Sequence, residues 1–335
     1  MGSGTPHRPG GPVSDLSDPA MNAISVLPKD AIPSIDDPTF GEGHFADPDD
    51  EVLTVEPEDG SPARAYPIRI LHYHEVVNDT VPTADGGEDA IAVTWCPICG
   101  SGVVYDASVD DRRLIFGVSG KLIDDDLVLY DRETDSEWKQ STGECLAGDR
   151  LGERLRVRPG PMTTYATFRE AHPDGVVLQP ASGGSAAASG YDPSGYEGYE
   201  ERDAFGLGGM RGEGPEREWN RNDLDPKTVV LGVTPADGGA LGLPLPVVEA
   251  AGGVVEATVG ETEVVVLATG DGLHAFEHPG FGLRIEDGTV RGDGATWTPA
   301  TGESVDGRRL RRVPTRRLYS FAWQDHHGPD AFYSG

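Results

Sequence analysis

Lysine is almost missing from this chain of 335 residues: only Lys29, Lys121, Lys139 and Lys227 occur, so the 27 basic residues are nearly all arginine. They face 57 acidic residues, a formal net charge of −30. Without a basic patch to neutralise phosphates, nucleic acid is excluded as an expected partner. A charge imbalance of this size repels itself in dilute salt and is tolerated where ions screen it within a few ångströms. The pattern therefore reads as a halophile-type acidic protein. Long hydrophobic runs are missing too. None approaches the roughly 20 residues of a bilayer-spanning helix. The first 26 residues are rich in Gly, Pro and Ser, with no positive start followed by an apolar stretch, so no signal peptide is expected and the expected location is cytoplasmic. Cysteine is scarce as well. Three residues, Cys96, Cys99 and Cys145, in a chain without a secretion signal do not make a disulfide framework.

What is present is a series of short Val-, Ile- and Leu-rich blocks, enough for two ordinary domains or one large β-rich one. Residues 1–26 read as a disordered tail, 27–180 as a first β-rich unit, 181–226 as a Gly/Tyr-rich connecting segment and 227–335 as a second β-rich unit. Strands are expected at Glu51–Val55, Ala90–Trp95, Gly102–Tyr105, Arg113–Val118 and Leu127–Asp131, then at Thr228–Val233, Val254–Val259, Val264–Ala268 and Leu318–Trp323. A short helix is expected after Pro67, reaching Val77 and ended by Asn78-Asp79. A second, over Thr163–Ala171, has Thr163 or Thr164 as N-cap.

The two units echo each other. Trp138, Thr142-Gly143-Glu144, Leu155, Pro159, Phe168 and His172 recur at matching spacing as Trp297, Thr301-Gly302-Glu303, Leu310, Pro314, Trp323 and His327. Upstream, Val55, Pro57 and Asp59-Gly60 are echoed by Val233, Pro235 and Asp237-Gly238. The common order points to an old duplication. The expected fold is α+β and predominantly β, two diverged repeats packed together with few short helices. Shared residues then read as fold determinants, His327 among them, and chemistry belongs to what one copy has alone.

That is the turn Cys96-Pro97-Ile98-Cys99-Gly100-Ser101, whose counterpart in the second copy is Leu267–Gly272. A Cys-x-x-Cys-Gly knuckle aims backbone amides at thiolate sulfurs, as in rubredoxin-like and zinc-ribbon sites. One knuckle supplies two of the ligands a zinc or copper ion needs. His74 is the favoured third over His72, because residues two apart on a helix diverge and only one faces the site. Cys145 is a further candidate thiolate. Glu75, Asn78, Asp79 and Ser101 are candidates to support the ligands, although the first three could equally be a helix cap. The same turn can be read as a thiol–disulfide redox pair with Cys96 as nucleophile, but a strand rather than a helix follows it. It can also be an inert β turn in a non-catalytic binding scaffold. Asp124-Asp125-Asp126 could bind a cation, and in so acidic a chain reads more simply as a solvated loop. Gly117–Gly120 is no phosphate loop, since no Lys-Ser/Thr follows, and no nucleotide cofactor is expected.

These residues resemble one family closely. The stretches Ala31–Pro38 (AIPSIDDP), Tyr66–Asp79 (YPIRILHYHEVVND), Thr94–Ser101 (TWCPICGS), Phe116–Gly120 (FGVSG), Asp126–Val128, Tyr130–Gln140 and Pro226–Gly232 are similar to the DUF3179 family, a domain of unknown function. The resemblance runs from about Leu27 to the C-terminus. It supplies no activity. It implies that His74, Cys96 and Cys99 fall on pattern positions while His72 and Cys145 do not, and that part of the Tyr191–Tyr199 stretch is ordered.

Overall fold

The apolar blocks become strands. In the computed structural model, which describes residues 22–44, 47–181, 191, 197–214, 217–270 and 272–335, 41% is strand and 13% helix, the latter in six short helices among the described residues. None of these helices is long and apolar enough to cross a membrane. Most of the expected N-terminal tail lies outside the described residues. Its last part does not: Ile24–Ser25 adds an edge strand opposite Leu122–Lys121.

A short helix, Ile68–His74, opens behind Pro67, whose extended backbone (φ −61°, ψ 130°) sets the turn into it. It stops earlier than expected. Glu75 takes a left-handed conformation (φ 55°), and Val76–Pro82 becomes a strand paired antiparallel with Glu88–Cys96. The β-branched pair Val76-Val77 fits a pleated, buried surface better than a helix end. The second helix, Tyr165–Ala171, is capped by Thr164, whose Oγ1 accepts from the Thr167 amide at 3.1 Å. Thr164→Ala is expected to lower stability by about 1 kcal/mol, read as a shift in the urea unfolding midpoint at high salt. An unchanged midpoint would remove the cap from the account.

Three sheets surround the cysteine turn. The seven-stranded one runs Leu241–Pro244, Val229–Val233, Thr315–Tyr319, Ser101–Asp106, Glu88–Cys96 and Val76–Pro82, with Val157–Arg158 also on Ser101–Asp106. Strands from the two halves therefore share it, joined at Arg317 opposite Gly102. A five-stranded sheet contains Phe116–Ile123, Asp126–Asp131, Glu137–Lys139 and Cys145–Ala147. Another contains Met162–Thr164, Glu51–Val55, Arg64–Pro67 and Val176–Leu178. The largest core cluster mixes both halves, with Trp138, Phe116 and Tyr105 from one and Trp323, Phe321 and Leu318 from the other, and Cys96, Cys99 and Cys145 lie in it.

The expected strand Leu318–Trp323 is corrected. The strand is Thr315–Tyr319, and Ser320–His327 is helix. Ser320 Oγ donates to the Asp225 and Pro226 carbonyls at its start. Trp323 lies against Gly232 and Gly242, where any Cβ would come within 2.4 Å of its ring. Tertiary contact, invisible to local patterning, sets this helix.

The element order of the two halves is partly parallel. A two-strand hairpin, a short helix behind a proline, a three-strand meander, a four-strand meander, a strand and a helix occur in order in 51–171 and in 229–327. The first stretch also carries the ribbon Ser108–Val109/Arg112–Arg113 and the strand Val157–Arg158, which have no counterpart among the described residues of the second. Gly143 (φ 72°) and Gly302 (φ 74°) donate to Lys139 O and Thr298 O, and both receive the amide of the later leucine, Leu155 or Leu310. A Cβ at either would strike an aromatic ring, of Tyr105 or of Phe276. In the connecting segment, Tyr191, Tyr199 and Phe205 are buried.

Candidate functional site

Glu88–Cys96 and Ser101–Asp106 form a hairpin closed by the pair Cys96–Ser101, with the cysteine turn at its tip. Gly100 (φ 57°) is required there: a side chain would meet the Tyr319 ring at 2.7 Å. Cys96 and Cys99 are 1% and 0% exposed. The Tyr199 hydroxyl, from the connecting segment, donates to Ile98 O at 2.9 Å, and the Tyr319 amide donates to Cys99 O at 2.8 Å. The turn is thus held from two distant parts of the chain.

A second hairpin meets it. Asp124 and Asp125 take the left-handed conformation (φ 52° and 62°) of a two-residue turn, which aspartate tolerates. The next residue, Asp126, becomes the first of the inward-facing strand Asp126–Asp131 and is fully buried. The expectation of a solvated loop is therefore corrected for Asp126. Ligand atoms of Cys96, Cys99 and Asp126 all lie within 4.8 Å of one another. Cys99 Sγ donates to Asp125 O at 3.5 Å. Asp126 Oδ2 accepts from the Ser141 amide (3.2 Å) and hydroxyl (2.5 Å), while Oδ1 has no hydrogen-bond partner. Ser141 has a single hydroxyl proton. Given to Asp126, it leaves Oγ to accept from His326 Nε2 at 2.6 Å, which sets the histidine tautomer.

The electrostatics follow from dryness. Burial pushes the Asp126 carboxyl up to about 6, against the pull of Lys139 and the Ser141 hydrogen bonds. Burial raises the Cys99 thiol well above its ordinary value, and the neighbouring Cys96, Asp126 and Asp125 add to this. Burial also lowers His326 well below its usual range, with Lys139, His327 and Arg316 assisting. Two thiol side chains and a carboxyl are packed together with no cation among their hydrogen-bond partners in the described residues. A cavity of about 320 Å³ borders the second hairpin, lined by Asn22, Leu122, Asp124, Asp125, Arg217 and Asp325 among others. Arg217 bridges Asp125 and Asp325 at its rim.

The structure places His74 elsewhere. Its Nδ1 meets Pro33 O and its Nε2 meets the Tyr191 hydroxyl, each at 2.7 Å, so both ring nitrogens are engaged and the group around the sulfurs does not include it. His72 lies beside Trp95 instead, the ring centroids 5.6 Å apart and the planes tilted by 52°. Glu75 closes the first helix with a buried carboxyl. Asn78 ties its strand to Phe116, donating to its carbonyl and accepting from its amide. Asp79 accepts from Tyr66 and Arg64. Ser101 is buried directly after the turn and its carbonyl accepts from Gln140. Cys145 donates to Ala147 O, burial pushes its thiol up to about 11, and it is not part of the group. Sequence reasoning missed Asp126 as the companion, although an Asp-Asp hairpin turn makes the third aspartate the first strand residue. It had no signal for Ser141 or His326.

The family model described as "Protein of unknown function (DUF3179)" matches residues 29–330, nearly the whole chain. No curated protein and no solved structure matches it.

Proposed function

We propose that this chain, which belongs to the DUF3179 family, holds one transition-metal ion, zinc or copper, on Cys96, Cys99 and Asp126. The observation that carries this reading is the Asp126 carboxylate, buried with an unpartnered oxygen and grouped with two buried sulfurs within 4.8 Å. Zinc takes thiolate sulfur at about 2.3 Å and carboxylate oxygen at about 2.0–2.2 Å, which puts tetrahedral ligands about 3.5–4 Å apart. Closing the group by about 1 Å asks only a small movement of a hairpin tip. A divalent ion also reverses the local cost, since it favours thiolate and carboxylate where burial alone favours their protonated forms. Ser141, oriented by His326, fixes the ligating carboxylate as outer hydrogen-bond partners do in metal sites. Three protein ligands leave a fourth position open, the pattern of catalytic rather than structural zinc.

The sequence echo of the two halves supports the same reading. Read as a duplication, it leaves the cysteine turn to the first copy, since the second carries Leu267–Gly272 at the corresponding place in the sequence. The raised Cys99 thiol weighs against a thiol–disulfide role, which needs an accessible thiolate.

Elemental analysis of the full chain purified in high salt is expected to find about one zinc or copper per chain. Cys96→Ser and Cys99→Ser should lose it, whereas Cys145→Ser and His74→Gln should retain it. Cobalt substitution should give thiolate-to-cobalt charge-transfer bands. Metal-free, folded wild-type protein that takes up none of these ions would sink the proposal. A measurable reduction potential for the pair in that protein would favour the redox reading. A double Cys→Ser variant with unchanged stability would leave the scaffold reading.

A further inference from the structure

The two halves differ in how their three-strand meanders meet the rest of the chain. In the first half, the meander edge Ser101–Asp106 is hydrogen-bonded to the other half through Thr315–Tyr319. The corresponding edge of the second half, Gly272–Glu277, lies beside Met162–Thr164, but among the described residues no ladder joins them. A cavity of about 10 Å³ remains between them, lined by Pro159, Pro161, His274, Arg312, Val313 and Thr315 among others. That is room for one particle of about the size of a water molecule.

The lining is unusual for so small a space. His274 is 1% exposed and neither ring nitrogen has a hydrogen-bond partner. Burial, with the Arg312 charge adding to it, holds its pKa down at about 3, so the ring is neutral and offers one N–H. Arg312 lies over the Phe276 ring. Its terminal nitrogen donates to the Pro299 and Ala300 carbonyls, and its buried Nε–H has no hydrogen-bond acceptor. Glu56 is ion-paired with both Arg312, its Oε1 3.6 Å from that Nε and itself without a hydrogen-bond partner, and Arg309 through Oε2, so two guanidinium groups share one carboxylate. The matching positions of the first half are Val103 and Val157, placed by the pairs Tyr105–Val157 and Phe276–Arg312. A fold that closes this corner with two valines in one half has no packing need for a histidine and an arginine in the other. Two buried N–H groups without a hydrogen-bond acceptor, one on His274 and one on Arg312, are costly.

We infer that His274 and Arg312 form a binding site for a single small anion of chloride size. The anion accepts from Arg312 Nε–H and from the His274 N–H, and supplements the single Glu56 carboxylate that Arg312 shares with Arg309. Glu56 acts against it, as the nearby negative charge.

The test uses the full chain at constant molar ionic strength, replacing glutamate by chloride or bromide. The wild-type unfolding midpoint should rise and saturate with halide, chlorine-35 NMR lines should broaden, and crystals grown in bromide should show an anomalous peak between His274 and Arg312. His274→Val and Arg312→Val, which install the residues of the other half, should abolish both the saturable rise and the broadening. Glu56→Gln should tighten binding. If the valine variants fail to fold, the bromide peak in the wild type decides. A single water at that position with no anomalous signal, together with a midpoint indifferent to the choice of anion, overturns the inference.

Discussion

Asp126→Asn is expected to abolish metal uptake and, in the metal-free protein, to raise stability at pH 8 by up to about 3 kcal/mol. Both effects come from one buried carboxyl. Its folded pKa is pushed up to about 6 from 3.8, chiefly by burial. Between those values the folded protein holds a proton that the unfolded chain has lost. The contribution of this group is therefore complete below about pH 4 and is lost as pH rises through 6, roughly two units at about 1.4 kcal/mol each. Asparagine keeps the shape and an acceptor for Ser141 while removing the charge. With metal bound the sign reverses: the ion holds Asp126 and the thiolates deprotonated, so acidification releases it. Chemical unfolding at pH 5 and pH 8 with chelator, followed by metal titration, separates the two effects. An asparagine variant that still binds one metal ion tightly would remove Asp126 from the ligand set. One no more stable than wild type at pH 8 would show that the buried carboxylate is relieved in another way.

Glu75→Gln is expected to have a comparable effect on stability and none on metal. Glu75 ends the first helix in a left-handed conformation (φ 55°), its carboxyl is buried, and Oε2 has no hydrogen-bond partner. Burial alone pushes it to about 8 from 4.5. The stabilising contribution of the neutral form is present below about 4.5 and disappears as pH rises through 8. The difference between variant and wild type should thus grow from near zero at pH 4 to about 4 kcal/mol at pH 8, an upper limit because local opening can rehydrate the group. Taking the difference cancels the opposing contribution of buried histidines such as His72, His172 and His327. Their lowered pKa values remove stability as pH falls below about 6.5. A pH-independent difference between the two proteins would contradict this account. The prediction also separates Glu75 from the metal site, because a supporting role there would change metal affinity along with stability.

Much of the strand content was legible because alternating and β-branched runs leave few other options. Val254–Val259 lies where its pattern puts it, and Thr164 caps the helix it was expected to cap. The errors fall where a distant part of the chain overrode local preference. Trp323 became helical because its ring seats against Gly232 and Gly242. The helix behind Pro67 ended at Glu75 because Val76-Val77 had a strand partner in Val93-Thr94.

The sequence by itself determined the acidic, lysine-poor character of the chain, its β-rich architecture, its family, and the cysteine turn as the one chemically suggestive feature. Only the tertiary structure decided the company that turn keeps. His74, close in sequence, is engaged by Pro33 and Tyr191 instead. Asp126, Ser141 and His326 arrive from up to 230 residues away because a second hairpin and a helix of the other half pack on the same core. Local patterning can place a residue on a strand, but which buried side chains share a pocket is settled when sheets from both halves close around one core.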